Sequence, residues 1–351
     1  MYPHSTIRTE AIATQQLASE PQSYSVQKPS ILVNKLLAQN NRRHNNLLIF
    51  AQNYQMPMYD KEKVLIIINP TSGTGKQKSV RKAIEHNIDR INFEYEIIET
   101  QYAQHATEIA RQAATDGYDI VVAVGGDGTV NEVATGLVDS QTKLGIIPCG
   151  SGNGLARSLK IPLTASKAVE ILNDNKMKRI DTMIVNGNFC ACIAGIGFDA
   201  LIAKEFHEKP KNTRGFHSYL QLIANEYPKY QANEYKIEID GRSSLHKAMF
   251  ICLANANQFG YNAIVSPESR IDDGLIDICI VKNIPLISAT PTALLLMTNN
   301  IDLSPRVKIL RGKSVRIYNN INEFANIDGE AKKVGKVVDI SIKHKSLMVI
   351  C

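Results

Sequence analysis

The fold is decided by residues 121–132, whose sequence is VVAVGGDGTVNE. Ile120 to Val124 is a short apolar run and predicts a β-strand. Val130 to Leu137 continues with apolar residues at helical spacing and predicts an α-helix. Three glycines lie between the two segments, where they allow the backbone to turn tightly. The stretch therefore predicts a strand, a glycine-rich turn and a helix in direct succession.

The same succession repeats on both sides of this stretch. Val64 to Ile68 is a continuous, mostly β-branched apolar run that ends in Asn-Pro, as expected for a strand buried on both faces and followed by a turn. Strands that alternate with helices indicate parallel βαβ units, so we predict a doubly wound α/β domain at residues 61–183. Its other predicted elements are a helix from about Lys76 to Ile88, a strand from Phe93 to Glu99, a helix from Ala103 to Asp116 and a strand from Leu144 to Ile147.

The rest of the chain has a different pattern. Short, often alternating segments separated by turn residues predict an antiparallel β-sandwich domain at residues 184–351, and whether its C-terminal segment returns to the first domain is left open. A helix is predicted from Thr290 to Thr298, with Thr290 as cap and Pro291 at its first position. Residues 1–60, rich in Gln and Asn and interrupted by prolines, predict a flexible extension. The predicted later strands are Thr182 to Val185, Glu234 to Ile239, Ala248 to Ala254, Leu275 to Val281, Lys308 to Leu310, Ser314 to Tyr318 and Val337 to Ile342.

Charge and cysteine content narrow the class of protein. Lys and Arg number 40 against 34 Asp and Glu, a net charge of +6 that would help the protein approach phosphates or an anionic membrane but does not indicate nucleic-acid binding. The 6 cysteines include no CxxC pair and no zinc spacing, which argues against a disulfide framework and a structural zinc. No apolar run approaches the roughly 20 residues that span a bilayer. We expect a cytoplasmic protein that visits the membrane transiently if its substrate is a lipid; a homodimer is left open.

Three glycine-rich turns each follow an apolar strand. They are 69–76 (NPTSGTGK), 125–129 (GGDGT) and 148–154 (PCGSGNG). In a parallel sheet all three lie at the carboxyl edge, where glycine lets the backbone approach a phosphate and the next helix presents unpaired N–H groups. Together they predict a nucleotide polyphosphate site. The site is not a P-loop, because Pro70 and Gln77 stand where Gly and Ser or Thr are needed, and Lys78 excludes a dinucleotide fingerprint.

Residues 121–132, together with NPTSG and PCGSGNGLARSL, resemble the catalytic domain of the diacylglycerol kinase and sphingosine kinase superfamily. The resemblance continues in order through AGIGFDA (194–200), NANQF (255–259), IDDGLIDI (271–278) and IDGE (327–330), so it covers about residues 62–350. It implies an NAD kinase/diacylglycerol kinase-like fold and an ATP-dependent lipid kinase. The expected reaction transfers a phosphate to the hydroxyl of a lipid alcohol, with diacylglycerol converted to phosphatidic acid as the leading case.

The resemblance also implies roles for particular residues. Asp127 would act through Mg²⁺ and water on the phosphates, although a helix cap would also explain an Asp there. Glu330 matches the family's general base, although a hairpin turn alone would explain the Asp-Gly before it. Apart from the resemblance, the positive charges of Lys76, Arg81 and Arg157 could neutralise phosphoryl charge, although each would also be explained as an ordinary solvated helix charge. The remaining residues expected around ATP are Asn69, Pro70, Thr71, Ser72, Gly73, Thr100, Gly125, Gly126, Gly128, Thr129, Ser151 and Asn153.

A structural magnesium site is the last feature that the resemblance implies. Its ligands would be the Asp273 carboxylate and the backbone carbonyls of Arg270 and Leu275; a hairpin turn is the alternative explanation. Many bacterial diacylglycerol kinases carry Asp where this chain has Gly154, and Asp181 could supply a carboxylate to the same magnesium and water network. The Gly-Asn-Gly form resembles the sphingosine and ceramide kinases more closely, so the lipid substrate stays open.

Two further hypotheses remain at this point. NAD kinase shares the Gly-Gly-Asp-Gly turn and a similar two-domain plan, but the Asn-Pro-Thr-Ser-Gly turn and the C-terminal Asp-Gly-Glu argue against it. A nucleotide- or lipid-binding protein without turnover is the non-enzymatic alternative, and the presence of both Asp127 and Glu330 weakens it.

Overall fold

The computed structural model describes residues 60–72, 77–209, 216–319 and 323–351. The extension predicted at residues 1–60 lies outside these ranges apart from its last residue, and so do two residues of the predicted site, Gly73 and Lys76. Residues 61–351 cluster as one unit.

Four parallel strands form the centre of the N-terminal half, in the order β2-β1-β3-β4. All five side chains from Val64 to Ile68 are buried, because helices cover the central strand on both faces. The order changes direction after β2, so right-handed crossovers put successive helices on opposite faces. The predicted doubly wound arrangement is confirmed. The strands are β1 (Glu62–Ile68), β2 (Phe93–Glu99), β3 (Ile120–Gly125) and β4 (Lys143–Pro148).

The helices of this half pack in two pairs, α1 with α5 and α2 with α3. The second pair is very close: a Cβ added at Gly136 of α3 would lie 2.7 Å from the Ala110 Cβ of α2. The absence of a side chain at Gly136 therefore sets the distance between these helices. The helices are α1 (Gln77–Asn87), α2 (His105–Thr115), α3 (Asp127–Leu137), α4 (Gly154–Ser158) and α5 (Ala165–Asp174).

The C-terminal half is built mainly from antiparallel strands, as predicted. A second sheet has the order β12-β11-β10-β7-β14-β15, and its inner face packs against the strands β13, β8 and β16 of the first sheet. The strands of this half are β5 (Met177–Val185), β6 (Asn188–Cys190), β7 (Ile193–Gly197), β8 (Asn233–Ile239), β9 (Arg242–Ala248), β10 (Phe250–Ala254), β11 (Ile276–Val281), β12 (Val307–Gly312), β13 (Ser314–Tyr318), β14 (Phe324–Ile327), β15 (Glu330–Lys333) and β16 (Val337–Ile350). Helices α6 (Phe198–Glu208), α7 (Phe216–Glu226) and α8 (Leu286–Met297) accompany them.

The long strand β16 joins the two halves into one sheet. Its end runs parallel to β4, with Val349 opposite Leu144, while its beginning runs antiparallel to β13. It also pairs with β5 on both sides of an irregularity between Lys343 and Leu347. The parallel sheet thus continues through β16 into β13, β8 and β9.

The helix predicted from Thr290 to Thr298 starts four residues earlier than expected. It begins at Leu286 after Pro285, and Pro291 lies inside it rather than at its first position. A proline within a helix has no N–H for the carbonyl four residues before it, so it is normally taken as a start signal. Here that carbonyl belongs to Ile287, an exposed residue, so water can replace the missing hydrogen bond. No helix within the described ranges is long and apolar enough to span a membrane.

Candidate active site

The three glycine turns meet at the carboxyl edge of the parallel sheet. Asn69 Nδ2 in the first turn donates to Thr129 Oγ1 in the second at 3.1 Å. A Cβ added at Gly126 would lie 3.3 Å from the Cα of Gly150, so the second and third turns touch through their backbones. A Cβ at Gly125 would be 2.4 Å from Thr129 Oγ1. A larger residue at Gly126 would push the second and third turns apart, and one at Gly125 would displace Thr129 within the second turn.

Asp127, the first residue of α3, binds the third turn directly. Its carboxylate accepts the backbone N–H of Asn153 at 2.8 Å and that of Gly154 at 2.6 Å. Burial raises the pKa of Asp127, and the two backbone hydrogen bonds partly offset that effect. Asn153 is left-handed (φ 52°), and its Nδ2 donates to the Gly150 carbonyl at 2.7 Å. The carboxylate thus fixes a loop of backbone beside its own helix N-terminus.

The segment Phe259–Asn262 covers the third turn from the other half of the chain. Arg157 donates from Nε to the Gly152 carbonyl at 2.9 Å and from Nη1 to Asn262 Oδ1 at 3.1 Å. A Cβ at Gly154 would lie 3.2 Å from the Phe259 carbonyl oxygen. This close approach explains why the position carries no side chain. The family resemblance marked residues 255–259, but no sequence signal pointed to Asn262.

Glu330 approaches the second turn from the β14–β15 hairpin. Its Oε1 lies 3.6 Å from the position that a Cβ on Gly128 would take, and its Oε2 pairs with Lys332 Nζ at 2.7 Å. Glu330 is partly exposed. Glu330 and Asp127, which are far apart in the chain, therefore both lie beside the N-terminus of α3. The ion pair with Lys332 was not predicted.

Asp328 anchors the hairpin that carries Glu330. Its carboxylate accepts the backbone N–H groups of Ala191, Cys192 and Ile193 at 2.6, 2.9 and 3.0 Å. Asn131 Nδ2 in α3 donates to it at 2.7 Å. Asp328 therefore ties the hairpin to α3 and to the start of β7. A simple Asp-Gly hairpin turn does not require these contacts.

Asp199 in α6, whose carboxylate is buried, supports the same hairpin indirectly. Asn326 Nδ2 donates to Asp199 Oδ2 at 2.9 Å, and Asn326 Oδ1 accepts the Gly329 N–H at 2.9 Å. Burial raises the pKa of Asp199 to about 6. The Asp199 carboxylate thus fixes the orientation of the Asn326 amide, which holds the residue just before Glu330. Asp199 lies in the AGIGFDA motif, but its contact with Asn326 could not be found from the sequence.

Three other predicted site residues, Thr71, Thr100 and Arg81, make hydrogen bonds that do not join one glycine turn to another. Thr100 follows β2 and donates its N–H to Ile68 at 2.9 Å, which places it beside the first turn. The Thr71 N–H and Oγ1 both donate to Asn69 Oδ1. Arg81 pairs with Glu99 at 2.8 Å on the surface. Pro70, Ser72 and Ser151 lie within the first and third turns.

The predicted magnesium ligands lie in a separate loop before β11. Asp273 is exposed, and its Oδ1 accepts the Leu275 N–H at 3.0 Å. Asp181 is buried and accepts the N–H groups of Gly274 and Lys345, each at 2.6 Å. A carboxylate and backbone carbonyls are oxygen donors of the kind that Mg²⁺ takes, with water as the other ligands. Within the described residues, no three His, Cys, Asp or Glu side chains cluster as a metal site.

The chain matches two family models. Residues 63–185 match the diacylglycerol kinase catalytic domain, and residues 192–351 match the YegS C-terminal NAD kinase beta sandwich-like domain. A diacylglycerol kinase of Bacillus subtilis (strain 168) is 29% identical over 272 residues, covering 77% of this chain and 90% of the relative. One of Staphylococcus saprophyticus is 27% identical over 273 residues, covering 77% and 89%.

Solved structures show the same fold. A diacylglycerol kinase structure from Bacillus anthracis str. Sterne aligns with a TM-score of 0.63 and 21% identity, over 83% of this chain and 97% of the other. Another structure from that organism gives a TM-score of 0.70 at 22% identity, over 84% and 97%.

The fold, the site and these matches define the class: the protein is an enzyme, a lipid kinase. Within that class the chain belongs to the diacylglycerol kinase and sphingosine kinase-like family, as the sequence predicted.

Proposed function

We propose that this enzyme transfers the γ-phosphate of ATP to the hydroxyl of diacylglycerol and forms phosphatidic acid. The observation that carries the proposal is the convergence of Glu330 and Asp127 on the N-terminus of α3, where three glycine turns meet. A helix N-terminus with glycines around it offers backbone N–H groups to phosphate oxygens. Phosphoryl transfer needs this kind of positioning more than it needs covalent chemistry from the protein.

The nucleotide would occupy the edge formed by the three turns. Asn69 and Thr129 join the first turn to the second, and Asp127 joins the second to the third, so the turns form one rigid surface. Arg157 would place its charge beside the phosphates while it holds Gly152 in position. With Arg81 paired to Glu99, its charge would reach the phosphates only after that ion pair opens.

Glu330 would act as the general base. It would accept the proton of the lipid hydroxyl while that oxygen attacks the γ-phosphorus, and the bond from the γ-phosphorus to the ADP oxygen would break. Lys332 supplies a positive charge 2.7 Å from the Glu330 carboxylate, and Asp328 and Asn326 hold the hairpin in position. The lipid would therefore enter between this hairpin and the glycine turns.

The two halves of the chain would divide the substrates between them. The α/β part at residues 61–183 would bind ATP, and the sandwich part at residues 184–351 would bind the acyl chains. Mg²⁺ bound with ATP would neutralise phosphate charge, and a second Mg²⁺ held by Asp273 and the carbonyls of Arg270 and Leu275 would stiffen the loop before β11. Asp181 would support that loop through Gly274.

A sphingosine or ceramide kinase is the second candidate. The observation that favours it is the tight contact at Gly154, where a Cβ would lie 3.2 Å from the Phe259 carbonyl. The Asp that many bacterial diacylglycerol kinases carry at this position would be crowded there. Both candidates need the same base and the same nucleotide site.

A lipid panel with γ-labelled ATP and Mg²⁺ tests the proposal. Diacylglycerol should be phosphorylated faster than sphingosine, ceramide or NAD. Glu330→Gln should keep the fold and ATP affinity but lower the rate on the order of 100-fold or more, because the base is lost. Glu323→Gln is the matched control, since Glu323 also pairs with a lysine, Lys333, at 3.0 Å near the same hairpin. A near-normal rate in Glu330→Gln would place the base elsewhere, and labelling of NAD alone would overturn the lipid kinase proposal.

A further inference from the structure

Helix α8 has an apolar outer face that no described residue covers. The helix contains no charged residue along its twelve positions, and its sequence is LISATPTALLLM. Ile287 is 89% exposed, Leu294 63% and Met297 51%, and Leu303 just beyond the helix is 70% exposed. These four residues, with Pro291, are the apolar face. A surface helix normally turns charged residues to water, so a face of this kind marks a contact with something apolar.

A basic groove begins where α8 begins. It has a volume of about 610 Å³ and lies between the edge strands β9 and β12, at the open side of the sandwich. Its cations are Lys247, Lys282, Arg306 and Lys308, and no Asp or Glu lines it. None of the four forms an ion pair with another described residue. The positive potential of the groove is therefore available to an outside partner.

The cations of the basic groove lie close enough to act together. The Lys282 N–H donates to the Arg306 carbonyl at 2.8 Å, and Lys308 stands opposite Ile280 across β11 and β12. The pKa of His246 is lowered by its burial and also by the charges of Lys308 and Lys282. Bound anions lower the electrostatic repulsion within a cluster of cations, and the phosphates of lipid headgroups are such anions.

Helix α8 connects this groove to the candidate active site. Its first turn follows Lys282 by a few residues, and at its other end the Leu296 carbonyl accepts the Ile264 N–H at 3.1 Å. Ile264 belongs to the loop whose Phe259 and Asn262 cover the third glycine turn. Helix α8 thus leads from the basic groove, through its exposed apolar residues, to the loop beside the candidate site.

We propose that the apolar face of α8 and the basic groove together dock this enzyme on an anionic lipid bilayer. The exposed leucine and isoleucine side chains enter the headgroup and acyl boundary, while the groove binds headgroup phosphates. The occupant is a bilayer because the surface combines uncharged apolar residues with unpaired cations, which is the complement of an anionic membrane. The proposal rests on the proposed lipid kinase function, since it explains how the enzyme reaches a substrate embedded in a membrane.

Vesicle sedimentation with the full chain tests the docking surface. Wild-type protein should bind vesicles of phosphatidylglycerol and phosphatidylcholine, bind vesicles of phosphatidylcholine alone more weakly, and lose binding as salt is raised. The double variant Lys282→Gln/Lys308→Gln should lower the partition onto anionic vesicles by roughly 10-fold or more, because each cation near the surface contributes. Ile287→Ser/Leu294→Ser should lower the partition onto both kinds of vesicle.

Matched controls separate the proposed surface from general effects. Lys176→Gln/Lys333→Gln removes the same charge from exposed ion pairs elsewhere, and Ile91→Ser removes an exposed isoleucine from the other half; both should bind as wild type does. Equal binding by all variants would overturn the proposal. So would a dimer in sedimentation velocity that the α8 variant dissociates without changing vesicle binding, because a second copy of the chain would then be the occupant.

An activity assay distinguishes failure of this proposal from failure of the proposed function. Short-chain diacylglycerol dispersed in water should be phosphorylated equally by wild type and by both double variants, whereas vesicle-embedded diacylglycerol should be phosphorylated more slowly by the variants. Equal rates on both substrates would overturn the docking surface and leave the kinase proposal intact. Vesicle binding that is lost in the variants, with no phosphorylation of either substrate by wild type, would support docking and overturn the kinase proposal.

Discussion

At the scale of single residues, the site is held by carboxylates that bind backbone N–H groups. Asp127 fixes the third glycine turn, and Asp328 fixes the start of β7. A carboxylate that accepts several backbone N–H groups replaces the water it loses on burial, and it gives the loop one conformation. The hairpin that carries the proposed base, Glu330, is held by the side chains of Asp328 and Asn326. These contacts hold the backbone just before Glu330, whose own side chain is partly exposed.

The Asp199 carboxylate should make stability depend on pH. Its folded pKa, raised by burial to about 6, lies above the ordinary value of 3.8, so the folded protein holds this proton over a range where the unfolded chain has lost it. The contribution of the Asp199 carboxyl group to the free energy of unfolding is therefore fully present below about pH 4 and is lost as pH rises to about 6. Asp199→Asn removes this dependence. Relative to wild type, the free energy of unfolding of the variant should rise by about 3 kcal/mol across that window.

Urea unfolding of wild type and Asp199→Asn at several pH values measures this difference. Asp302→Asn, a change at an exposed carboxylate, is the control and should give no trend. A constant difference between Asp199→Asn and wild type from pH 4 to 7 would contradict the prediction. Because the neutral amide oxygen introduced by Asp199→Asn accepts the Asn326 hydrogen bond more weakly than the carboxylate does, this variant should also lower kcat and change the lipid KM less.

At the scale of elements, close packing in the α/β half depends on where side chains are missing. A Cβ on Gly136 would lie 2.7 Å from both the Ala110 Cβ and the Thr107 carbonyl oxygen. Gly136→Ala therefore brings two effects into opposition. Alanine favours a helix by about 1 kcal/mol over glycine, while overpacking against fixed backbone costs roughly 1–3 kcal/mol.

We expect packing to dominate at Gly136, because two of the three nearest atoms, the Thr107 oxygen and the Arg111 nitrogen, belong to the backbone of α2. Gly136→Ala should lower the free energy of unfolding by about 1 kcal/mol, measured by urea denaturation. Gln112→Ala, at an exposed position of α2, is the control: it changes helix propensity without adding a packing contact, and it should change the free energy of unfolding little. A more stable Gly136→Ala variant would show that the two helices can move apart at little cost.

The sequence predicted the elements whose side chains have one dominant pattern. Strand β3 is apolar throughout and is bounded by glycine, so its type and position followed directly. The start of α8 did not follow, because Pro291 is a start signal by local rules, and only the exposure of the preceding turn to water makes the lost hydrogen bond tolerable. Contacts such as Asn326 with Asp199 join residues 127 positions apart. Local sequence patterns contain no information on such pairs. The motifs could therefore be predicted from the sequence, but the long-range hydrogen bonds that hold them in place could not.

At the scale of the whole molecule, the two family domains share a sheet. Strand β16 lies beside β4 in the α/β half and beside β13 in the sandwich half. Leu347 on this strand is fully buried in the core of the first half, and Ile340 on the same strand is buried in the core of the second. A continuous hydrogen-bonded strand through both cores couples them more strongly than a surface contact between separate domains would.

A cavity in β16 should therefore destabilise both halves together. Leu347→Ala should lower the free energy of unfolding by about 2–5 kcal/mol, and a single unfolding transition should remain. Hydrogen exchange followed by mass spectrometry should show faster exchange in β3 and in β8 by the same factor, although only β3 belongs to the same core cluster as Leu347. Leu245→Ala, at a residue 66% exposed on β9, is the control and should leave exchange in both strands unchanged. Faster exchange in β3 alone, or two resolved transitions, would mean that the halves unfold independently and that the shared strand does not transmit stability between the α/β half and the sandwich half.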